Sequence, residues 1–277
     1  MKIITLPEEI NIENITTNLQ VFDYHNSQKT IKQQIVLNQN AFSFLIEGTK
    51  EVISGNSSLS IDNSKFLLMK SGHCLMTEKL SDFKSYRSIL FFFTNEILFE
   101  FVQKAKLNSE LSADTSVSAF QYDGFIKRFV ASLLDVSKLS NNAKSKLLKV
   151  KFEEIMQYLI EMHGTQFLFS LLKNSDNYTQ KFIRTIETNK LNKLKLKELA
   201  FLCDRSESTF KREFEKHYNE SPIKWFQNAR LEHAKYLLNQ ERKSSSEIYL
   251  EVGYENLSSF IQAYKLKYGI TPKQHNK

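Results

Sequence analysis

Short apolar runs broken by turn-forming residues occupy the chain from residue 31 to residue 94. Residues 31–37, 41–47, 51–53, 59–61, 65–70, 74–77 and 86–93 are rich in β-branched and aromatic side chains. Gly48, Gly55-Asn56, Asp62-Asn63 and Ser71-Gly72 separate them, and such residues favour turns. Many short strands at close spacing predict a sandwich or a small barrel. From about Asn95 the period lengthens to that of a helix. Ile126, Val130, Leu133 and Leu134 form one stripe, and Leu148, Phe152, Ile155, Leu159 and Met162 follow alternating steps of four and three. This heptad-like seam has two readings: packing on the chain's own β-structure, or dimerisation through Leu148, Phe152, Ile155 and Leu159. Residues 165–172 continue as a short helix, and the polar stretch 173–177 predicts a linker.

The last hundred residues are patterned as helices throughout. Residues 196–203 and 206–217 form a helix pair around the turn Asp204-Arg205. Phe210 and Phe214, four apart, bury the back of the second helix and leave Ser206, Glu207, Ser208, Lys211 and Arg212 at its start and on its outer face. Ser221 and Pro222 predict a helix start, and the helix runs to about Asn239. A second pair, 246–252 and 257–268, surrounds Gly253-Tyr254-Glu255-Asn256. Phe260 and Tyr264 repeat the spacing of Phe210 and Phe214, with Asn256, Leu257, Ser258, Gln262 and Lys265 at the start and outside. Helix pairs of this kind place the N-terminal residues of the second helix in the major groove. The helix between the pairs, at 1.5 Å per residue, spans about 27 Å. That is close to the roughly 34 Å between successive major grooves on one face of DNA.

Charge sharpens this picture. Residues 178–277 contain nineteen Lys or Arg against twelve Asp or Glu, so they carry the whole net charge of +7, and residues 1–177 balance. A basic block of domain size suits a polyanion, because each cation placed near a phosphate releases a condensed counterion. Arg212 can contact guanine through two hydrogen bonds and Gln262 can pair with adenine, whereas Leu257 and Ser258 suit a thymine methyl or a phosphate. Trp225 is expected to be a structural anchor, with Ala229, Leu231 and Leu238 as core.

The run SESTFKREFEKHYNESPIKWFQNARLEHAKYLL, followed by SEIYLEVGYENLSSFIQAYKLKYGITP, resembles the DNA-binding domain of AraC/XylS transcription regulators over residues 178–275. The resemblance implies base contacts at Ser208, Lys211 and Arg212 in the first unit and at Leu257, Ser258 and Gln262 in the second. Tyr249 stands where the family usually has Ala, so the second pair must pack differently around that ring. The stretches FLIEGTKEVIS and LSIDNSKFLLMKSGHCLMTE are similar to the cupin-type β-barrel of many such regulators. The expected fold is α+β: a cupin-like barrel with dimerisation helices (1–172), a linker (173–179) and an all-α domain with two helix-turn-helix motifs (180–277).

Other function classes find little support. Residues 31–94 contain one histidine, His73, too few for a cupin metal enzyme. No Gly-rich phosphate loop, nucleophile elbow or zinc-finger spacing occurs. Cys74 and Cys203 are the only cysteines, which fits a reduced cytosol, and the most apolar run, residues 88–93, is too short to span a bilayer. The N-terminus lacks the long apolar core of a signal peptide. The expectation is a cytoplasmic, non-enzymatic regulator, nucleoid-associated when bound to DNA, with no metal, cofactor or membrane partner. By resemblance it is a homodimeric activator that contacts promoter DNA and RNA polymerase. Its signal would be a small-molecule effector or a regulatory protein. An apolar enclosed barrel interior would favour the former, and an interior filled by its own Phe side chains the latter. Phe42, Phe44, Phe66, Phe83, Phe91, Phe92 and Phe93 are available for either.

Overall fold

Strand residues two apart share a face, and β4 (Asn40–Glu47) and β9 (Tyr86–Phe93) are apolar on both faces. Phe42, Phe44, Ile89, Phe91 and Phe93 join one buried cluster, whereas Ala41, Leu45, Leu90 and Phe92 join another. The computed structural model, which describes residues 2–11, 17–107, 116–172 and 178–275, explains this double burial. The two strands lie inside a five-stranded antiparallel sheet ordered β10-β7-β4-β9-β2, completed by β2 (Leu19–Asn26), β7 (Lys65–Met69) and β10 (Val117–Gln121).

A second five-stranded sheet, ordered β1-β3-β8-β5-β6, faces the first across a shared apolar interior. It comprises β1 (Ile4–Leu6), β3 (Thr30–Leu37), β5 (Thr49–Ser54), β6 (Ser58–Ile61) and β8 (Gly72–Lys79). Only β1 pairs in parallel, with Ile4 opposite Ile35; the other pairings are antiparallel. Ile35, Leu37, Val52, Ile61, Cys74 and Met76 point from this sheet into the interior. The strands expected between residues 31 and 93 all form. β1, β2 and β10 lie outside the expected β-region; all three are edge strands, β1 and β10 are short, and the mixed polarity of β2 hides its period.

The outer face of the first sheet is covered by helices α1 (Asn95–Lys104), α2 (Gly124–Ser137), α3 (Asn141–His163) and α4 (Gln166–Leu172). Asp123 caps α2 by accepting from the Ile126 amide at 2.8 Å. The α3 seam faces inward. Leu148, Phe152, Ile155 and Leu159 are 0–2% exposed, and Phe152 packs on Phe93 and Phe101 at ring distances of 5.1 and 5.9 Å. Assigning these four residues to subunit contact is therefore corrected. They fill the core between helix and sheet, because the Phe-rich outer face of the sheet needs an apolar cover as long as α3. Met162, the last member of the seam, is 55% exposed.

The chain divides into two compact units, Met1–Phe182 and Ile183–Lys277. Of the expected linker, residues 173–177 lie outside the described residues, and Tyr178 and Thr179 open helix α5 (Tyr178–Thr188). The second unit holds only helices among its described residues: α6 (Leu196–Leu202), α7 (Glu207–Tyr218), α8 (Pro222–Asn239), α9 (Ser245–Ile248), α10 (Leu257–Tyr268) and α11 (Pro272–His275).

Candidate nucleic-acid interface

Helices α6 and α7 are joined by a turn in which Asp204 adopts φ 55°. Asp tolerates this left-handed backbone better than most residues, so the chain turns within the four residues 203–206 without glycine. Ser206 then caps α7, its hydroxyl accepting from the Thr209 amide at 3.3 Å. Phe210 and Phe214 are fully buried, their rings 5.7 Å apart. Phe214 also meets Trp225 at 5.6 Å, and Trp225 meets Tyr218 at 4.9 Å, so the tryptophan is the expected anchor between α7 and α8. With the back of α7 fixed, Ser206, Glu207, Ser208, Lys211 and Arg212 are all exposed. Among the described residues Lys211 and Arg212 take part in no ion pair. Neighbouring Arg205 is instead tied to Glu213 at 3.5 Å and to the Asp204 carbonyl at 2.8 Å.

The second pair repeats the first at an offset of fifty residues. Asn256 stands for Ser206 and caps α10 by accepting from the Ser259 amide at 2.8 Å. Phe260 and Tyr264 stand for Phe210 and Phe214 and are likewise fully buried. Gly269, at φ 76°, stands for Asn219 at φ 52°, and Pro272 for Pro222. Asn256, Ser258, Gln262 and Lys265 are exposed. Leu257 is not on the outer face as expected. It is half-buried against the cluster of Leu231, Leu237, Ile248 and Phe260, an apolar side chain at the position where α7 carries the exposed Glu207. Tyr249, the departure from the usual Ala, packs on the rim of the same cluster. Tyr264 reaches past α10 to His275 Nδ1, at 2.9 Å, and burial pushes its phenol up to about 12.

The turn of the second pair depends on Gly253, at φ 89°. A Cβ there would lie 3.3 Å from both Cδ and Nη1 of Arg230. Arg230 escapes notice in the sequence as an ordinary surface cation. Its spacing of four from both Phe226 and Ala234 is the signal that puts it on the packed side of α8. It is half-buried, its Nε finds no hydrogen-bond partner among the described residues, and burial lowers its affinity for the proton against the opposing pull of Tyr254. Lys193 adds a second tie, donating to the Leu250 carbonyl. The Arg230 contact sets the second turn against α8, which at eighteen residues is about 27 Å long, and the Lys193 bond ties it to the segment before α6.

Residues 199–277 match the helix-turn-helix domain and residues 40–171 match the ExsA N-terminal regulatory domain. The chain belongs to the AraC/XylS family of transcriptional regulators. Similar AraC/XylS relatives include the thermoregulatory protein LcrF of Yersinia pestis, 28% identical over 173 residues, which are 61% of this chain and 64% of that protein. The HTH-type transcriptional regulator ExsA of Pseudomonas aeruginosa is 28% identical over 126 residues, 45% of each chain. The chain thus spans less than two thirds of the length of the relatives it matches. Among solved structures, ToxT from Vibrio cholerae aligns with 94% of this chain and 98% of its own at 14% identity and a TM-score of 0.41. Among the described residues of this AraC/XylS chain, no group of three His, Cys, Asp or Glu is placed to hold a metal, and no helix is long and apolar enough to cross a membrane.

Proposed function

We propose that this chain binds promoter DNA sequence-specifically through α7 and α10 and activates transcription by contacting RNA polymerase. Its N-terminal unit sets that activity. The observation that carries the reading is the exposed face of α7, where Lys211 and Arg212 stand clear of ion pairs on a helix pinned from behind by Phe210 and Phe214. Arg212 reads a base on this view and Lys211 holds the phosphate beside it, Ser206, Glu207 and Ser208 fit the helix start to the groove, and Ser258, Gln262 and Lys265 position the second helix. Asn256 and Ser206 act through their caps, which fix each helix N-terminus. The protein works in the cytoplasm as a homodimer without catalytic activity. Its subunit contact lies outside the inward seam, and Leu147 and Val150 are exposed apolar residues of α3.

A small molecule is the favoured signal. Phe42, Phe44, Phe66, Phe91 and Phe93 point to the helices and not into the space between the sheets, so that interior is not packed with phenylalanine. A regulatory protein is the second reading, favoured by Phe83, which is 88% exposed between β8 and β9. Selection of genomic fragments on the purified full chain tests the DNA reading. A recurrent motif with two half-sites about one helical turn apart is expected. Enrichment no better than that of random competitor duplex at moderate salt sinks it.

A further inference from the structure

Lys50 and Glu78 form a buried pair between the two sheets, at the polar end of a cavity of about 160 Å³. The side chains are 2% and 9% exposed. The rest of the wall is mostly apolar, with Leu37, Met69, Met76, Leu90 and Phe92 among its residues. An apolar protein cavity of about 150 Å³ admits benzene, so the size suits one six-membered ring and a short substituent.

The polar end is only partly satisfied by its own groups. The Lys50 ammonium has three donors. One goes to Ser43 Oγ at 3.1 Å, and Glu78 Oε1 is 3.8 Å away, beyond hydrogen-bond range. Glu78 Oε2 accepts from the Tyr24 hydroxyl and the Asn26 amide, each at 3.3 Å. Among the described residues Oε1 accepts no hydrogen bond, and the buried Tyr86 hydroxyl, itself without a hydrogen-bond partner, also lies beside this carboxylate. Burial lowers the proton affinity of Lys50, and Glu78 opposes that shift. A donor and an acceptor are therefore open side by side in an apolar wall. The pair is already neutral. A carboxylate ligand would set a second negative charge beside Glu78, and an amine a second positive charge beside Lys50; both are costly where water is excluded.

We propose that this cavity binds a small neutral molecule with a body of about benzene size and one hydroxyl or amide group, which accepts from Lys50 and donates to Glu78. The proposal rests on the reading of the N-terminal unit as the regulatory part, and it names the ligand class that unit answers to. It sets the pocket apart from a purely hydrophobic hole, which would prefer a hydrocarbon, and from an anion site, which would prefer an acid.

The test uses the full chain with isotope-labelled methionine methyl groups, read by NMR. Met69 and Met76 line the cavity, and Met156 and Met162 on α3 serve as internal controls. Four probes share one ring: benzyl alcohol, benzoate, benzylamine and toluene. Benzyl alcohol is expected to shift Met69 and Met76 saturably and leave Met156 and Met162 in place. Benzoate, benzylamine and toluene should each bind about tenfold more weakly or worse, from the unmatched charge or the unmet polar pair. The double variant Lys50→Met/Glu78→Met should reverse the order of toluene and benzyl alcohol. If that variant does not fold, Leu37→Phe, which fills the cavity with carbon, should abolish the shifts. Benzoate binding as tightly as benzyl alcohol, shifts spread over all four methionines, or no shift at all would each overturn the proposal. Duplex binding is measured on the same samples. Duplex retention without methionine shifts overturns the pocket alone, whereas shifts without duplex retention uphold the pocket and overturn the DNA reading.

Discussion

Phe152 packs its ring 5.1 Å from that of Phe93, centroid to centroid, and both side chains are fully buried. The contact joins the middle of α3 to the outer face of the Phe-rich sheet and decides the role of the seam. Phe152→Ala is expected to cost about 3–5 kcal/mol, the range for removing a buried aromatic ring. Leu159→Glu places a charge in the same core and should unfold the N-terminal unit, whereas Val150→Glu, at a 59% exposed position, should change stability by no more than about 0.5 kcal/mol. Urea unfolding followed by near-ultraviolet dichroism measures all three. A folded Leu159→Glu protein that only dissociates from dimer to monomer would restore the seam as an interface.

Gly253 and Arg230 make a second close relationship. Gly253→Ala forces an L side chain into φ 89° and sets its Cβ 3.3 Å from the Arg230 side chain. The left-handed conformation alone costs a non-glycine residue about 1–2 kcal/mol. The second helix pair should melt at lower temperature, and Arg230→Ala should recover only the steric part of the loss. Equal stability of Gly253→Ala and the parent chain in a thermal melt would show that the turn relaxes without strain.

The pairing of strands β2 and β9 carries an acid-sensitive group. Asp23 lies opposite Ile89 and accepts from Arg87 Nε and Nη2 at 3.0 and 2.9 Å, with His25 Nε2 at 3.0 Å. Burial pulls the Asp23 carboxyl upward, but the Arg87 hydrogen bonds and charge, with His25, outweigh it and hold the group below its usual value. A carboxyl depressed in the folded state stabilises the fold above its unfolded pKa, about 3.9, and loses that contribution as pH falls through the folded value. Melting temperature should therefore drop below about pH 4. Asp23→Asn, which cannot titrate, should start lower at neutral pH and fall less steeply on acidification. Parallel curves for the two proteins would remove Asp23 from the acid response.

Much of this arrangement is legible in the chain. The turn residues Gly48, Asp62-Asn63 and Gly72 mark the ends of strands, and the Ser221-Pro222 start and residue 239 end bound α8. Burial on two faces is harder to read. Residues 89–93 are a continuous apolar run and carry no alternation to say which Phe faces the helices and which the other sheet. The seam of α3 is ambiguous for a similar reason: a heptad stripe looks the same whether its partner is another subunit or the chain's own sheet. Leu257 fails for a local cause. It stands at the first residue of α10, where α7 carries the exposed Glu207, and spacing alone does not report that an apolar side chain there packs on the Leu231, Leu237, Ile248 and Phe260 cluster. The Lys50–Glu78 pair brings together residues of β5 and β8 whose meeting depends on sheet register, with Lys50 opposite Glu78.

Arg212 and Lys211 give the most direct test of the reading face. They are neighbours on the exposed side of α7, and among the described residues neither is held by a carboxylate. Arg212 carries a planar fork of donors that matches the two acceptors of guanine, whereas Lys211 presents a point charge that suits a phosphate equally well. Arg212→Ala should therefore weaken binding to the selected duplex by about 1–3 kcal/mol and relax preference at one base pair. Lys211→Ala should weaken selected and random duplexes alike and reduce the salt dependence of binding by about one counterion. Affinities measured against a panel of single-base variants at several salt concentrations separate the two outcomes. If Arg212→Ala weakened every duplex equally, the guanidinium would be a backbone contact, and the base-reading role of α7 would pass to Ser208.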